Sequence, residues 1–308
     1  MPTRAPLLAL VGPTACGKTE AGIDLAGRLG AEICSVDSML VYRGMDIGTA
    51  KPTAEQRALV PHHLLDLADP SERFSVARFQ QLACIAIADV RAHGATPLLV
   101  GGSGLYFRAV VDDLVFPGES AALRAELQME ADTVGVGILY RRLELLDPVA
   151  ASRIEPANVR RIVRALEVPA LTGTPFSAFS DAWQRHDPER VRVAGVRMPT
   201  EVLAARIADR VSAMFAAGWL EEVRGLLERG AGDWLTSTQA IGYAELARHL
   251  EGRLSLEEAW EATVRRTKNL ARRQMAWFRR DPRVRWFNTS DGGALGVIDD
   301  IESYLEDR

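Results

Sequence analysis

The segment Gly12–Thr19 reads Gly-Pro-Thr-Ala-Cys-Gly-Lys-Thr, and glycine, lysine and threonine at this spacing predict a loop that binds phosphate groups. Its two glycines allow the backbone N–H groups to turn inward onto an anion. Lys18 would place a positive charge at the outer phosphates, and the hydroxyl of Thr19 suits a Mg²⁺ ion. An apolar run at 7–11 and an amphipathic stretch at 18–29 predict the strand and the helix that this motif requires, which favours it over a turn that binds nothing.

Two other predicted loops carry groups that could act on a bound phosphate compound. Asp37 follows the apolar run 33–36, and Ser103 follows the run 98–100 and two glycines. Loops at the carboxyl ends of parallel strands share one edge of the sheet, so both should lie beside the phosphate loop. Asp37 could take a proton from a nucleophile or hold Mg²⁺ through water, and the alternative is an aspartate that only caps a turn.

The loop after the run 98–100 also bears on the type of reaction. An enzyme that hydrolyses ATP usually has an acidic residue at such a strand end, where it holds Mg²⁺. Glycines and the hydroxyl of Ser103 occupy this place, which argues against a kinase or an ATPase. Glycines there indicate either close approach of the backbone to a ligand or a plain tight turn.

Basic residues cluster in the C-terminal half of a chain whose net charge is −4. Between Arg265 and Arg285 there are nine basic residues and one acid, a local charge of +8, which favours contact with a phosphate backbone. The alternative is a solvated helix face, and we expect Trp277 in the core. Arg206 and Arg210 lie one helical turn apart and could close over a phosphate or form surface ion pairs.

A second group of arginines lies near the middle of the chain. Arg160, Arg161 and Arg164 fall within a helical pattern, and Arg160 and Arg164 share one face of it. They could bind nucleic-acid phosphates, or they could pair with Glu155 or Glu167. The residues alone leave both interpretations open.

The elements that must position these residues follow from the order of the apolar runs. Runs that predict short buried strands alternate with helical stretches in the first third of the chain, at 7–11, 33–36, 63–67 and 98–100. This alternation predicts an α/β fold with a P-loop NTPase-like parallel sheet flanked by helices. We assign 1–118 to an α/β core, 119–183 to a helical insertion, and 184–308 to the return of the chain to the core.

The later part of the chain is predicted to be mostly helical. Helical patterns occupy 119–132, 136–146, 157–171, 201–216, 219–229 and 239–250, and strands are predicted at 191–196 and, as an edge strand, 284–287. Ser255 and Glu258 form a capping-box pattern that begins a long final helix, and Pro282 marks its end. A helix is also predicted over 75–92, with Ser75 as its N-cap.

Composition excludes several classes of protein. Hydrophobic residues make up 47% of the 308 residues and charged residues 25%, as in ordinary globular proteins. The run at 7–11 is too short to span a bilayer, and the N-terminus has no signal-peptide pattern, so we expect no membrane association. The three scattered cysteines fit a reducing cytoplasm. His62 and His63 have no metal-ligand pattern around them and are expected to be structural.

Eight segments, taken in order, resemble the bacterial type of the tRNA dimethylallyltransferase (tRNA isopentenyltransferase) family. The segments are 12–19, 35–38, 41–52, 62–66, 98–107, 160–167, 239–243 and 267–278. They extend over nearly the whole chain. Many families share the phosphate loop, whereas Val-Tyr-Arg-Gly-Met-Asp-Ile-Gly-Thr-Ala-Lys-Pro at 41–52 is highly specific.

The resemblance implies transfer of a dimethylallyl group from dimethylallyl diphosphate to N6 of an adenosine. That adenosine is 3′-adjacent to the anticodon in tRNAs that read codons beginning with U. The resemblance also implies Mg²⁺ as cofactor, a channel entered by the diphosphate at one end and by the flipped adenine at the other, and the tRNA anticodon stem-loop as partner. We expect a cytoplasmic monomer. The rival interpretation is a P-loop small-molecule or nucleoside kinase that uses ATP.

Roles for individual residues follow from the resemblance and from the arginine pattern. Asp37 would be the base near N6, with Ser103 beside it in the catalytic site. The diphosphate-binding residues would be Gly12, Pro13, Thr14, Ala15, Cys16, Gly17, Lys18, Thr19, Arg206 and Arg210, and Thr19 would be the metal ligand. The residues facing tRNA would be Asp37, Ser38, Met39, Leu40, Ser103, Arg124, Arg160, Arg161, Ile162, Val163, Arg164, Gln239, Ala240, Ile241, Gly242, Tyr243, Ala244, Arg272 and Arg273.

The chain departs from the family pattern at four of these positions. Cys16 replaces the usual serine or alanine, and Ser103 replaces threonine but keeps the hydroxyl. Gln239 and Ala244 stand where some bacterial members have arginines, so contact with tRNA through charge is not expected there.

Overall fold

The computed structural model describes residues 6–112, 114–179, 185–230, 237 and 240–307. Six strands in this part of the chain form one sheet in the order β3-β2-β4-β1-β5-β6, and all neighbouring strands are parallel. They are β1 (Leu7–Val11), β2 (Ala31–Ser35), β3 (His62–His63), β4 (Thr96–Gly101), β5 (Val191–Arg197) and β6 (Val284–Asn288). The predicted parallel sheet is confirmed, and β6 lies at its edge.

Helices connect the strands and continue beyond them. They are α1 (Lys18–Leu29), α2 (Ala54–Leu59), α3 (Val76–Ala92), α4 (Gly104–Val111), α5 (Ala121–Val134), α6 (Val136–Leu146), α7 (Pro148–Ala151), α8 (Val159–Thr172), α9 (Thr200–Ala216), α10 (Trp219–Glu228), α11 (Tyr243–Leu250), α12 (Leu256–Phe278) and α13 (Ile298–Glu306). The capping box at the start of α12 is confirmed, because Ser255 and Glu258 each accept the other's backbone N–H. Among the described residues, no helix is both long and apolar enough to cross a membrane.

Alternate residues of the central strand β1 belong to two different hydrophobic cores. Val11 belongs to a core that also contains Phe107 and Phe278, whereas Leu10 belongs to one that contains Leu25. Successive side chains of a strand point to opposite faces, so the sheet is covered on both sides. Burial on both faces explains why the strands appear in the sequence as short, continuous apolar runs.

The register of the sheet brings three loops to one edge. Val11 at the end of β1 pairs with Gly101 at the end of β4, and Ser35 of β2 pairs with Val100. The chain leaves these three strands at the same level and in the same direction. The predicted placement of Asp37 and the glycine loop beside the phosphate loop is therefore confirmed.

The chain divides into two compact units. One consists of residues 1–111 and 187–308 and contains the whole sheet; the other consists of residues 112–186. The second unit has its own hydrophobic core, in which Leu139, Leu143 and Ile162 are fully buried. In its described part, residues 112, 114–179 and 185–186, its regular structure is helical and there is no strand.

The predicted strand 63–67 is wrong beyond its first residue. β3 covers only His62–His63, because Leu64 and Asp66 have φ of 66° and 56°, left-handed values that end an extended strand. The carboxylate of Asp66 instead holds the ammonium of Lys51, 2.6 Å away. The segment after β3 is therefore a turn organised around an ion pair.

Four helices are absent from the sequence-based prediction: α2, α4, α7 and α13, of which α7 has only four residues. Helix α2 is short, and α4 is an apolar helix with almost every residue buried, so neither has a helical period that the sequence displays. Helix α13 does have one, since Ile298, Ile301 and Leu305 face its core at helical spacing.

A carboxylate between two histidines connects β2, β3 and the end of α3. Glu32 lies 2.6 Å from Nε2 of His63 and 2.9 Å from Nε2 of His93. The hydrogen bond with Glu32 raises the pKa of His93. Burial alone would raise the pKa of Glu32, but hydrogen bonds from the two histidines hold it below its usual range.

The stability contributed by this cluster should depend on pH. A histidine whose pKa is raised by folding contributes its full stability below its unfolded pKa of about 6.5, and this stability is lost as the pH rises through the folded pKa. A carboxyl group whose pKa is lowered by folding contributes stability above its unfolded pKa of about 4.3. We therefore expect His93→Gln to destabilise the protein slightly, with the largest effect between about pH 4.5 and 6.5 and little effect at alkaline pH. Urea unfolding at acidic and alkaline pH measures this, and an equal loss at both would contradict it.

Candidate active site

The loop between β1 and α1 depends on its two glycines. A Cβ on Gly12 would lie 2.7 Å from the carbonyl oxygen of Val196, and Gly17 has a φ of 86°, which favours glycine. Nζ of Lys18 donates a hydrogen bond to the carbonyl oxygen of Pro13, 2.6 Å away, so the ammonium lies over the loop. Helix α1 begins at Lys18, and its positive end adds to the attraction for an anion.

Two arginines of α9 contact this loop, at the spacing that suggested them. Arg206 donates from Nε to the carbonyl oxygen of Ala15 at 3.0 Å, and Arg210 donates to the hydroxyl of Thr14 at 3.3 Å. Withdrawal from water lowers the pKa of Arg210, but an arginine stays protonated at neutral pH. Together with Lys18, the arginines border one cavity, which is therefore suited to a multiply charged anion.

The carboxylate of Asp37 is fixed at the end of β2. Its Oδ1 accepts a hydrogen bond from the backbone N–H of Met39 at 2.9 Å. The N–H of Ser103 donates to the carbonyl oxygen of Val36 at 3.3 Å, which ties the loops after β2 and β4 together. Asp37 and Ser103 border the same cavity.

The glycines after β4 make close contact with other parts of the protein. A Cβ on Gly101 would lie 2.4 Å from the carbonyl oxygen of Val36, and one on Gly102 would lie 2.4 Å from Nε2 of Gln274. The close neighbours of these glycines are protein atoms of Val36 and Gln274, so close approach of the backbone to a ligand stays a prediction.

Gln274 of α12 joins the phosphate loop to this edge of the sheet. Its Oε1 accepts a hydrogen bond from the backbone N–H of Thr14 at 2.8 Å, while its amide lies against Gly102. The side chain is buried, with 8% of the residue exposed. The long helix α12 therefore positions the phosphate loop directly.

Two cavities meet at these residues. The first, of about 560 Å³, is bordered by the phosphate loop and its cations, and the second, of about 360 Å³, by Ser103 and side chains of α9 and α12. Five described residues border both cavities: Thr14, Asp37, Thr49, Arg210 and Gln274. Asp37 is therefore one of the side chains at the junction of the two cavities.

The second cavity has large apolar side chains, including tryptophan, in its wall beside polar ones. Met214, Trp219, Leu270 and Trp277 all border it. The expectation that Trp277 lies in the core is wrong, because it is 41% exposed, whereas its neighbour Phe278 is buried. Consecutive helix residues point about 100° apart, which directs one ring to the cavity and the other to the core.

Most of the predicted tRNA-facing residues of the sheet-containing unit lie around the second cavity. Those bordering it are Asp37, Ser38, Met39, Ser103, Ala240, Ile241 and Arg273. Leu40 borders the first cavity instead. Arg272 lies in a separate groove with Arg265 and Lys268. Although Arg272 and Arg273 are neighbours in sequence, Arg273 borders the second cavity and Arg272 borders the separate groove.

The described residues in the rest of the segment 239–244 do not border the second cavity, and two of them contact other parts of the protein. A Cβ on Gly242 would lie 1.9 Å from the ring of Trp219, and the hydroxyl of Tyr243 donates to Glu222 at 2.6 Å. Ala244 lies in the first turn of α11. Gln239 lies outside the described residues.

In the helical unit, some of the predicted tRNA-facing residues are buried and others are exposed. Ile162 and Val163 are buried in its hydrophobic core. Arg124 and Arg164 both bind the fully buried carboxylate of Glu167, at 2.9 and 2.7 Å. Burial alone would raise the pKa of Glu167, but these arginines and the N–H of Ser120 hold it below its usual range.

Arg160 and Arg161 differ from the two arginines that bind Glu167. Both side chains are exposed at the start of α8. Of the two interpretations of this arginine group, ion pairing holds for Arg164, whereas Arg160 and Arg161 remain available to an external phosphate.

Sequence reasoning did not single out three residues around the junction. Thr49 and Lys51 lie in the specific segment 41–52, and Gln274 lies in the final helix, where only the charges were considered. A lysine and a hydroxyl between turn-forming residues were the available signal for the first two. Gln274 gave no signal, since its importance depends on contacts far apart in sequence.

A parallel sheet, a phosphate loop after its central strand and a carboxylate shared by two cavities define a P-loop fold whose site suits transfer of a group from a phosphate compound. Residues 40–281 match the family model described as IPP transferase, and residues 5–66 match that of isopentenyl transferase. The chain belongs to the IPP transferase family, the family of the tRNA dimethylallyltransferases.

Related proteins match over almost their whole length. The chain is 48% identical over 303 residues to the tRNA dimethylallyltransferase of Desulforudis audaxviator, covering 98% of each chain. It is 51% identical over 295 residues to that of a Nocardioides species, covering 96% of this chain and 94% of the relative.

Solved structures also resemble the protein. The tRNA isopentenylpyrophosphate transferase of Bacillus halodurans is 42% identical, with a TM-score of 0.72 over 98% of this chain and 96% of that one. A eukaryotic dimethylallyltransferase acting on tRNA has a TM-score of 0.81 over 97% of this chain and 78% of that one, and at 24% identity it supports the fold alone. The predicted family and α/β fold are confirmed.

Proposed function

We propose that this protein transfers the dimethylallyl group of dimethylallyl diphosphate to N6 of the adenosine 3′-adjacent to the anticodon, in tRNAs that read codons beginning with U. The observation that carries this proposal is the junction of the two cavities, where Asp37 borders both the cavity of the phosphate loop and the cavity with tryptophan in its wall. Relatives named tRNA dimethylallyltransferase support the same donor and acceptor. The product would be N6-(dimethylallyl)adenosine.

The first cavity would hold the donor. Diphosphate is a good leaving group only when its developing charge is stabilised, and preorganised donors in a water-poor site do this most effectively. Lys18, Arg206 and Arg210 border this cavity together with the N–H groups of the phosphate loop. They would bind the diphosphate and direct its allylic carbon toward the junction.

Asp37 would serve as the general base at the junction. The exocyclic amine is a weak nucleophile, so a carboxylate that accepts its proton during attack raises its reactivity. A bond forms between N6 and the allylic carbon, and the bond from that carbon to the diphosphate oxygen breaks. The electron pair leaves with the diphosphate, and Asp37 takes one N6 proton.

Mg²⁺ is the proposed cofactor, and the residues present fit it. The hydroxyl of Thr19 borders the first cavity with Asp37 and Glu20. In phosphate sites Mg²⁺ usually takes one or two protein oxygens and completes its shell with water and substrate oxygens. When bound, the ion would neutralise charge on the diphosphate.

The second cavity would receive the adenine. An adenine that is stacked in the anticodon loop cannot reach Asp37, so it must flip out of the stack, which costs on the order of a few kcal/mol. The ring of Trp277 and the guanidinium of Arg273 border this cavity and could hold the base and its phosphates. We propose that the protein does this as a monomer in the cytoplasm, where its three free cysteines stay reduced.

A direct assay tests the proposal. The protein is incubated with labelled dimethylallyl diphosphate, Mg²⁺ and total tRNA, and the modified nucleoside is identified after digestion. Label in N6-(dimethylallyl)adenosine supports the proposal, and absence of label from RNA rejects it. The kinase alternative has no acidic residue at the end of β4 to support it; ATP turnover without prenyl transfer would favour it nevertheless.

The helical unit allows a matched test of tRNA binding. We expect Arg160→Ala and Arg161→Ala each to lower the magnitude of the log K versus log salt slope for tRNA by about 0.7–0.9, because each removes one phosphate contact. Neither should change the affinity for dimethylallyl diphosphate or the stability. Filter binding over a salt series measures the slope, and unchanged slopes would remove this unit from the tRNA interface.

Arg164→Ala is the contrasting variant. It removes a guanidinium 2.7 Å from the buried Glu167, although Arg124 still holds that carboxylate. We expect a loss of about 1–3 kcal/mol in the stability of the helical unit. A change in tRNA binding by this variant would therefore reflect the unit's structure as well as a phosphate contact.

A further inference from the structure

The segment 46–51, here called the junction loop, is held on one side by the buried ammonium group of Lys51. The side chain of Lys51 is fully buried, and its Nζ lies 2.6 Å from carboxylate oxygens of both Asp46 and Asp66. It also donates to the carbonyl oxygen of Tyr42 at 2.7 Å. An ammonium has three donors, so Lys51 is fully used in holding the loop.

One carboxylate of α10 fixes the loop from the other side. Glu222 accepts hydrogen bonds from the N–H groups of Asp46, Ile47 and Gly48 at 2.9, 2.8 and 3.3 Å. It also accepts the hydroxyl of Tyr243 at 2.6 Å. Hydrogen bonds to a charged acceptor are about twice as strong as neutral ones, so this contact holds the loop firmly.

The residue presented by this arrangement is Thr49, which borders both cavities. Its hydroxyl donates to the carbonyl oxygen of Met45 at 2.6 Å. Since a hydroxyl has a single hydrogen, the oxygen of Thr49 can offer a ligand only its lone pairs. At the junction, Arg210 and the amide of Gln274 carry donors, whereas Asp37 and Thr49 offer acceptors.

An exocyclic amine has two N–H bonds, and this pair of acceptors matches it. We infer that Thr49 accepts the N–H that the reaction leaves on N6, while Asp37 takes the other proton, and that Glu222 is the positioning residue that holds Thr49 in place. This inference rests on the proposed function. The retained N–H stays hydrogen-bonded to Thr49 from attack to product. A base without the amino group cannot form this hydrogen bond.

A cycle of protein and RNA changes tests the role of Thr49. Binding is measured for an anticodon stem-loop with adenosine or purine riboside at the acceptor position, with inorganic diphosphate and Mg²⁺ in place of the donor. Thr49→Val should reduce the preference for adenosine about three- to tenfold, the value of one hydrogen bond, and Thr49→Ser should keep it. Equal weakening of both RNAs by Thr49→Val would overturn the inference, because a purely structural residue would act in that way.

Glu222→Gln provides the second measurement and does not remove Thr49. It should also reduce the preference for adenosine over purine riboside, while the affinity for dimethylallyl diphosphate stays near the wild-type value. Glu221→Gln is the matched control, since that neighbour has only a surface contact with Arg224 at 3.5 Å and should change neither quantity. An unchanged preference in Glu222→Gln would overturn the positioning role. Absence of prenyl transfer by the wild-type protein would reject the proposed function separately.

Discussion

Replacing Asp37 with alanine is expected to reduce prenyl transfer by roughly 10²–10⁴, the usual effect of losing a positioned general base. The carboxylate borders both cavities, so it lies where the proposed amine and the proposed donor would meet. Asp37→Asn is the sharper variant, because its amide oxygen can still accept the N–H of Met39 that holds the turn. Single-turnover transfer at saturating donor and tRNA measures the chemical step.

Binding measurements separate this effect from damage to the site. Both Asp37 variants should bind tRNA and dimethylallyl diphosphate with affinities near those of the wild type. Lys18→Ala should behave in the opposite way, with weakened binding of the diphosphate, since it removes a charge over the phosphate loop. Near-normal transfer by Asp37→Asn would show that another group takes the proton.

The parts predicted correctly from the sequence are those determined by local pattern. The phosphate loop, the ends of α1 and the capping box of α12 depend on residues close together in the chain, and all were placed to within a residue or two. The shared edge for Asp37 and the glycine loop followed from the alternation of strands and helices. Arg206 and Arg210 were found because one turn of α9 brings both to the phosphate loop.

The parts that were not predicted depend on contacts between distant segments. Gln274 accepts the N–H of Thr14, which is 260 positions away in the sequence. Glu222 accepts the N–H of Asp46 in the junction loop, which is 176 positions away. Neither residue belongs to a pattern that its neighbours display. Trp277 was misplaced because amphipathic spacing gives the side of a helix that is apolar and does not show whether core or cavity lies there. For Arg164, the sequence offered both a phosphate contact and pairing with Glu167, and only the burial of Glu167 decides for the ion pair.

A further large effect is expected when a single methyl group is added at the end of β4. In Gly101→Ala the new Cβ would lie 2.4 Å from the carbonyl oxygen and 2.7 Å from the carbonyl carbon of Val36. Both are backbone atoms, so the clash is relieved only by moving the strand end that carries Asp37. We expect a loss of about 1–3 kcal/mol in the free energy of unfolding, typical of overpacking.

The displacement should also reduce transfer, since a shift of about 1 Å in a reacting group can lower the rate about 10²-fold. Gly27→Ala is the matched control: its Cβ meets nothing within 4 Å on the exposed side of α1. A glycine-to-alanine change inside a helix should stabilise the protein by about 0.5–1 kcal/mol and leave transfer unchanged. Urea unfolding and single-turnover transfer of both variants make the comparison. If Gly101→Ala were as stable and active as Gly27→Ala, the contact between Gly101 and Val36 would not be what positions Asp37.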